Sequence, residues 1–211
     1  MIAAIDAFEK ALLDLDKIKA KRIVDQELEQ LADPLDLVAN IIVPTLERIG
    51  TGWENGSLAL SQIYMSGRIC EQIIDEILPV STQQRIDQPR LGIAVLNDYH
   101  LLRKRIIYSH IRSAGYELKD YGRKSVEELI SIIMEDEIEI ILISTLMYPS
   151  ALQVKELIIE LRKIAPHVKV VVGGAPFNMD GQLWQEVGAD AMGTNGTDVL
   201  AYLEQVSEAT T

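Results

Sequence analysis

The chain has a single cysteine among its 211 residues, Cys70, and this scarcity excludes two kinds of stabilised structure. An internal disulfide needs two cysteines, and a zinc site built from cysteine pairs needs several. The sequence also lacks any apolar run near the roughly 18 residues that span a bilayer, and its first residues lack a basic stretch followed by an unbroken apolar one. We therefore expect a cytoplasmic protein without a membrane segment.

Positive charge is scarce as well, with 20 Lys and Arg against 32 Asp and Glu and a formal net charge of −12. Such a balance repels nucleic-acid phosphates and anionic membranes, so proteins and small molecules are the expected partners. No Gly-x-Gly-x-x-Gly motif follows the first predicted strand, which argues against a dinucleotide fold. The 48% content of hydrophobic residues and the mean hydropathy of +0.10 exclude a mainly disordered chain.

Helical spacing of apolar residues dominates the first part of the chain and predicts a helical domain over residues 1–84. The predicted helices are 3–15, 17–30, 34–49 and 59–78. Asp33-Pro34 is typical of a helix cap and first turn, and Gly50–Gly56 is expected to break the helical pattern. Trp53, a large aromatic residue near this junction, is interpreted as a core residue.

A polar segment without apolar periodicity, residues 80–89, predicts a linker, and the pattern beyond it changes to alternating strands and helices. The predicted strands are 91–97, 116–121, 138–144, 168–173 and 189–193, with helices near 101–114, 125–136, 150–164, 179–187 and 197–207. Strands this rich in Val, Ile and Leu are typical of a parallel sheet covered on both faces. The predicted fold is α/β: an N-terminal four-helix bundle, then a flavodoxin-like or Rossmann-like five-stranded parallel sheet over residues 90–211.

Small and polar residues collect in the loops that follow the predicted strands. These loops are residues 98–100, 144–150, 173–178 and 194–196. Because the crossovers in a parallel sheet are right-handed, such loops open on one edge, where α/β proteins bind their ligands. Asp98 and His100 follow the first strand, and a carboxylate there can set which imidazole nitrogen is free.

The order of these motifs resembles the corrinoid-binding domain of cobalamin-dependent methyltransferases. The residues that carry the resemblance are Asp98-x-His100, Ser144-x-Leu146, Ala114-Gly115-Tyr116-Glu117, Gly173-Gly174-Ala175-Pro176 and Gly188-Ala189-Asp190. The stretch Ile49–Gly56 is similar to part of the helical cap that precedes that domain. Together the two halves resemble the small corrinoid proteins of methyltransferase systems over nearly the whole chain.

This resemblance implies cobalamin, a corrinoid that contains cobalt, as the cofactor. It assigns His100 as the lower axial cobalt ligand, with Asp98 and Ser150 completing a hydrogen-bond relay behind the imidazole. The displaced nucleotide tail is then expected in a slot lined by Ser144, Leu146, Gly173 and Gly174. The residues expected to contact the cofactor are Asp98, His100, Arg103, Ser144, Leu146, Ser150, Gly173, Gly174 and Thr194.

Arg103 departs from the family pattern, which continues Asp-x-His-x-x-Gly. A glycine at this position lets the start of the following helix approach the nucleotide tail. An arginine must point away, displace the tail, or bind its phosphate. The last of these is attractive because a helix N-terminus also favours an anion.

The function implied by the resemblance is that of a methyl carrier, a carrier subunit more than a complete enzyme. Its partners would be a substrate-specific methyltransferase and a second methyltransferase that takes the methyl group onward. An alternative is a cobalamin-binding sensor, but such regulators carry a Glu-His pair where Ile63-Tyr64 stands here. A phosphorylated receiver is disfavoured because Ser144 and Thr194 occupy the places of its expected Asp and Lys.

Overall fold

A computed structural model describes residues 2–31, 33–78, 88–98 and 101–209 of the chain. The chain divides into two compact units, Met1–Pro79 and Val80–Thr211. The first unit is helical, and the second is built on a parallel β-sheet. Within the described ranges, no helix combines the length and the apolar character that crossing a membrane requires.

The first unit buries the apolar faces of its helices against one another. Its elements are α1 (Ile2–Leu13), α2 (Lys17–Leu31), α3 (Pro34–Leu37), a π-helical turn (Val38–Ile42), α4 (Val43–Glu54) and α5 (Leu60–Ile77). Phe8, Leu12 and Ile73 are fully buried in this unit. Asp33 caps α3 as expected, because its Oδ1 accepts a 2.8 Å hydrogen bond from the N–H of Leu35.

The predicted single helix over 34–49 differs from the observed one in two ways. It contains a π-helical turn, and it continues through Gly50 and Gly52 to Glu54. A glycine inside a helix costs only about 1 kcal/mol relative to alanine, so these two residues do not end it. The chain turns at Gly56, whose φ of 77° is in the left-handed region. The prediction that the helical pattern breaks at Gly50 was therefore wrong.

The second unit is a five-stranded parallel sheet with the strand order β2-β1-β3-β4-β5. Its strands are β1 (Leu91–Leu96), β2 (Leu118–Lys124), β3 (Ile140–Thr145), β4 (Lys169–Gly174) and β5 (Ala191–Met192). Its helices are α6 (Leu102–Ser113), α7 (Val126–Glu135), α8 (Tyr148–Ile164), α9 (Ala175–Met179), α10 (Leu183–Glu186) and α11 (Gly196–Ala209). The predicted fold class, with a parallel sheet after an N-terminal set of helices, is confirmed.

Apolar side chains cover both faces of the sheet, which explains why its central strands have no polar alternation. Ile93 and Leu142 pack on one face with residues of α6 and α11. Ile143 and Val172 pack on the other face with residues of α7 and α8. In the order β2-β1-β3, the strand that follows β1 in the chain lies on one side of it, and the next strand, β3, lies on its other side. The carboxyl edge beside β1 and β3 is consequently the place where ligands bind in such sheets.

Most predicted bounds differ from the observed ones by one or two residues, and two elements of the second unit differ more. The second strand, predicted at 116–121, runs from Leu118 to Lys124. The helix predicted at 179–187 is replaced by α9 and α10. The reason is a turn at Asp180, whose carboxylate accepts a 3.0 Å hydrogen bond from the N–H of Gln182. That turn separates α9, which has a proline in its first turn, from α10.

Asp190 links the ends of β4 and β5 on the side of the sheet away from the carboxyl edge. Its Oδ2 accepts hydrogen bonds from the N–H of Val170 at 2.8 Å and from Nη2 of Arg162 at 2.6 Å. Its Oδ1 lies 3.2 Å from Nζ of Lys169. Burial acts to raise the pKa of Asp190, but these hydrogen bonds outweigh it and hold the pKa below its ordinary value of 3.8.

We expect Asp190→Asn to lower the free energy of unfolding at pH 7 by about 2 kcal/mol, because it weakens hydrogen bonds to a charged group. Since the pKa is depressed in the folded state, this stabilisation is complete above pH 3.8 and is lost as the pH falls through the folded pKa. Urea unfolding of both proteins between pH 7 and pH 3 measures the difference. Glu156→Gln, at an exposed site on α8, is the control. A difference that stays constant down to pH 3 would contradict this assignment.

Candidate functional site

A pocket lies at the carboxyl ends of β1, β3 and β4, on the face of the sheet that α6 and α11 cover. Five of the nine residues predicted from the sequence line it: Arg103, Ser144, Gly173, Gly174 and Thr194. Its remaining walls are mainly apolar. The cavity has a volume of about 30 Å³, which is room for about two water molecules.

The register of the sheet explains why residues far apart in sequence meet here. Ser144 of β3 pairs with Val95 on one side and with Gly173 on the other. Thr145 pairs in turn with Gly174. Because the strands are parallel, these positions all lie at the same edge. Arg103 reaches the pocket from the first turn of α6, directly above that edge.

The glycines of the pocket are required by backbone packing. A Cβ on Gly173 would lie 2.6 Å from the carbonyl oxygen of Gly193, and one on Gly174 would lie 1.7 Å from that of Thr145. Gly174 also has a φ of 123°, which side chains rarely tolerate. The close approach that these glycines permit is therefore to neighbouring backbone. Their presence is fully explained without a ligand, although their atoms line the pocket.

Two polar groups of the pocket have no partner in the part of the chain that the structure describes. Ser144 is 8% exposed, and its hydroxyl makes no hydrogen bond there. Arg103 is half-buried, and its guanidinium makes neither a hydrogen bond nor an ion pair there. A hydroxyl without a protein partner is free to donate to a ligand, and an arginine without a carboxylate is a ready anion ligand. Both groups are therefore suited to a polar ligand.

Asp98 connects two loops at the carboxyl edge. It is 2% exposed, and its Oδ2 accepts hydrogen bonds from the N–H of Leu146 at 2.8 Å and of Met147 at 2.9 Å. These two N–H groups belong to the chain just before α8. One oxygen of the carboxylate is thus committed to the backbone of the β3–α8 loop, a contact that the motif did not predict.

Ser150 lies in the first turn of α8 and is 5% exposed. Its hydroxyl donates to the backbone carbonyl oxygen of Asn97 at 3.4 Å, and among the described residues it makes no hydrogen bond with Asp98. Asn97 has a φ of 48°, and its side chain donates to Gln153 at 2.8 Å. Ser150 therefore supports the turn that carries Asp98, and the expected direct Asp98–Ser150 contact is not observed.

Thr194 belongs to a small hydrogen-bonded loop at the start of α11. Its N–H donates to Oδ2 of Asp198 at 2.9 Å, and its hydroxyl is bonded to the same carboxylate oxygen. The N–H of Asp198 donates in turn to Oδ1 of Asn195 at 3.0 Å. Nδ2 of Asn195 donates to Oγ1 of Thr194 at 3.1 Å, so the hydroxyl proton and one lone pair of Thr194 are used and one lone pair is left for a ligand.

His100, the predicted cobalt ligand, lies outside the described residues, as does Tyr99. In the ranges that are described, no group of three or more His, Cys, Asp or Glu side chains is arranged to hold a metal ion. A single axial ligand needs no such group. Leu146 is 39% exposed and, unlike Arg103, is not part of the pocket wall.

Several residues that shape the site were not among those predicted from the sequence, and three of them are instructive. Gly193 and Ile107 line the pocket, and Asn97 forms the left-handed turn after β1. Asn97 carried a usable signal, since asparagine adopts a positive φ more readily than most residues. Gly193 carried one too, because it follows a strand at the same edge as Gly173. Ile107 carried none beyond its helical position, four residues after Arg103.

Comparison with known protein families agrees with this geometry. A model described as a B12 binding domain matches residues 91–204, which include the whole sheet and its carboxyl edge. The chain belongs to the B12 binding domain family. A second model, also described as a B12 binding domain, matches residues 4–78 of the helical unit. The resemblance to methyltransferase corrinoid proteins is thereby confirmed, and so is cobalamin as the cofactor.

Similar proteins cover nearly the whole chain. Trimethylamine corrinoid protein 1 of Methanosarcina acetivorans is 26% identical over 204 residues, covering 93% of both chains. Dimethylamine corrinoid protein 1 of Methanosarcina mazei is 27% identical over 193 residues, covering 86% of both. The solved structure of the Methanosarcina barkeri monomethylamine corrinoid protein has a TM-score of 0.81 at 21% identity and covers 99% of both chains, which shows a shared fold.

Proposed function

We propose that the chain carries a methyl group on cobalamin bound at the carboxyl edge of its sheet, between partner methyltransferases. The observation that carries the proposal is the match of B12 binding domain models to both units, together with the pocket at the edge of the sheet, whose mainly apolar walls include a few polar groups. Cobalamin supplies the cobalt centre that accepts and releases the methyl group. The chain supplies binding, orientation and electrostatics.

The residues at the pocket fit the nucleotide tail of cobalamin. The unpartnered hydroxyl of Ser144 offers the tail a hydrogen bond, and the remaining lone pair on Oγ1 of Thr194 offers another. Gly173 and Gly174 keep the carboxyl ends of β3 and β4 free of side chains. A cavity of about 30 Å³ is too small for a nucleotide base, so lining side chains must move when the tail enters.

The corrin ring needs a broad surface beside the pocket, and the β3–α8 loop provides an apolar one. Leu146, Met147 and Tyr148 are consecutive apolar residues, and they are 39%, 47% and 52% exposed. Large apolar side chains that are exposed next to one another are more typical of a binding surface than of ordinary protein surface. Because Asp98 holds the backbone of this loop, it would hold this surface in place. Leu146 then contacts the ring side of the cofactor.

His100 is proposed as the lower axial ligand, two residues after the buried Asp98. In this role Asp98 orients the loop that bears the histidine and tunes the basicity of its imidazole. Ser150 acts through the backbone of Asn97, which it supports by its hydrogen bond. The positions of Asp98 and Ser150 at one edge support this assignment.

The partners proposed for the chain are methyltransferases. The relatives carry the names of trimethylamine and dimethylamine corrinoid proteins. One solved structure of the same fold is described as a methanol:cobalamin methyltransferase complex; it is 18% identical to this chain, with a TM-score of 0.53. By analogy, one methyltransferase delivers the methyl group and a second takes it onward. The formal charge of −12 disfavours nucleic acid as a partner.

Anaerobic reconstitution of the full chain with cobalamin tests the proposal. We expect a bound corrinoid and, in the reduced paramagnetic state, a nitrogen splitting from the axial ligand in the electron paramagnetic resonance spectrum. Labelling the protein with ¹⁵N-histidine should change this splitting from a triplet to a doublet, because the ligand nitrogen would come from the protein. His100→Ala should lose the labelled signal and His167→Ala, at an exposed site, should keep it. A wild-type protein that binds no corrinoid would end the proposed function.

A further inference from the structure

Arg103 is placed at the pocket by the first turn of α6, which begins at Leu102. Ile107, one helical turn further on, lines the same pocket, so this face of α6 points toward it. The next residue, Lys104, is 2% exposed and forms an ion pair with Asp120 of β2. This ion pair, of a buried lysine with a partly exposed aspartate, attaches the first turn of α6 to the sheet and so fixes the position from which Arg103 extends.

The charge of Arg103 is uncompensated within the described residues, in a chain where acidic groups are abundant. Other arginines of the same unit have carboxylate partners: Arg90 lies 3.4 Å from Glu137, and Arg162 lies 2.6 Å from Asp190. Arg103 instead lines the same pocket as several apolar side chains and Ser144, whose hydroxyl is unpartnered among the described residues. A guanidinium next to apolar walls and a hydroxyl donor is suited to a phosphate, to which it can donate two parallel hydrogen bonds.

We propose that Arg103 binds the phosphodiester group of the nucleotide tail, and that it makes this chain selective for corrinoids that carry such a tail. The inference rests on the proposed function. Because the family pattern has a glycine at this position, the selectivity belongs to this chain and not to the fold in general.

Binding of two corrinoids to the full apo-chain tests this inference. Cobalamin has the phosphodiester and the base, whereas cobinamide has the same corrin ring without them. We expect Arg103→Gln to weaken cobalamin binding by about 10-fold to 100-fold, the usual effect of one charge-assisted hydrogen-bonding group, and to leave cobinamide binding unchanged. Arg103→Lys should recover part of the lost cobalamin affinity, since lysine keeps the positive charge but cannot donate two parallel hydrogen bonds. The salt dependence of cobalamin binding should also become weaker in Arg103→Gln.

Arg105→Gln is the matched control, because it removes the same charge from the same helix at a position that does not line the pocket. It should bind both corrinoids as the wild type does. A third arm titrates inorganic phosphate, which should compete with cobalamin and not with cobinamide. Circular dichroism of each variant establishes that the fold is retained.

The outcomes distinguish a failure of the phosphate assignment from a failure of the proposed function. Equal loss of both corrinoids in Arg103→Gln, or no loss of either, overturns the phosphate assignment. Phosphate that binds the wild type and not Arg103→Gln, with cobalamin affinity unchanged, shows a site for free phosphate and also overturns it. Failure of the wild type to bind either corrinoid is a different result, since it removes the proposed function itself.

Discussion

Gly174→Ala is expected to destabilise the second unit severely. The added Cβ would lie 1.7 Å from the carbonyl oxygen and 2.8 Å from the carbonyl carbon of Thr145. Both atoms belong to the backbone of β3, which the sheet holds on both sides by pairing with β1 and β4. Gly174 also has φ 123° and ψ 177°, a conformation almost restricted to glycine. Neither the strand nor the turn can relieve the overlap without breaking the pairing.

The expected destabilisation exceeds about 4 kcal/mol, the level at which single substitutions become exceptional. This is a large share of the roughly 5–15 kcal/mol that stabilises an ordinary domain. A Trp53→Phe background leaves Trp184 of α10 as the only tryptophan, so its fluorescence follows the second unit during urea unfolding. Gly181→Ala is the control, because a Cβ there meets no atom within 4 Å and the φ is ordinary. Equal unfolding midpoints for the two alanine variants would contradict the prediction.

The sheet was predictable because its central strands are buried on both faces. Leu91–Leu96 is an unbroken apolar run, and the predicted strand 91–97 ends within one residue of the observed one. The helical unit was harder, since the cost of Gly50 and Gly52 in a helix is small compared with the packing of neighbours such as Ile49, which is 1% exposed. Trp53 was interpreted as a core residue, yet it is 47% exposed. Its surroundings depend on tertiary packing that local sequence does not encode.

The pocket was predictable in part for a topological reason. Ser144, Gly173 and Thr194 each follow a parallel strand, and the carboxyl ends of parallel strands share one edge. What the pattern missed are contacts between residues far apart in the chain. Asp98 bonds with backbone groups 48 and 49 residues later, and backbone N–H groups carry no sequence signature. The need for glycine at position 174 likewise arises from Thr145 on a neighbouring strand.

Asp98→Ala is expected to release the β3–α8 loop and to destabilise the second unit by about 3 kcal/mol. The substitution removes an acceptor that two partly buried backbone N–H groups share, and each hydrogen bond to a charged group contributes about 1.5–3 kcal/mol. The contacts at 2.8 Å and 2.9 Å are both short enough to be charge-assisted. Asp98→Asn keeps an oxygen acceptor of the same shape, so we expect it to cost only about 1 kcal/mol.

Hydrogen exchange of the Leu146 and Met147 amides in the apo-chain measures the release of the β3–α8 loop directly. In the wild type both amides should be protected, and in Asp98→Ala their exchange should rise by at least about 10-fold relative to amides in β1 and β4. Asp98→Asn should lie between the two. Because no cofactor is present, the result separates the role of Asp98 in holding the loop from any role toward His100. Amides that stay protected in Asp98→Ala would mean that the start of α8 holds this loop by itself. In that case a loss of cobalamin binding in the variant would have to come from the missing carboxylate, and not from a displaced Leu146–Tyr148 surface.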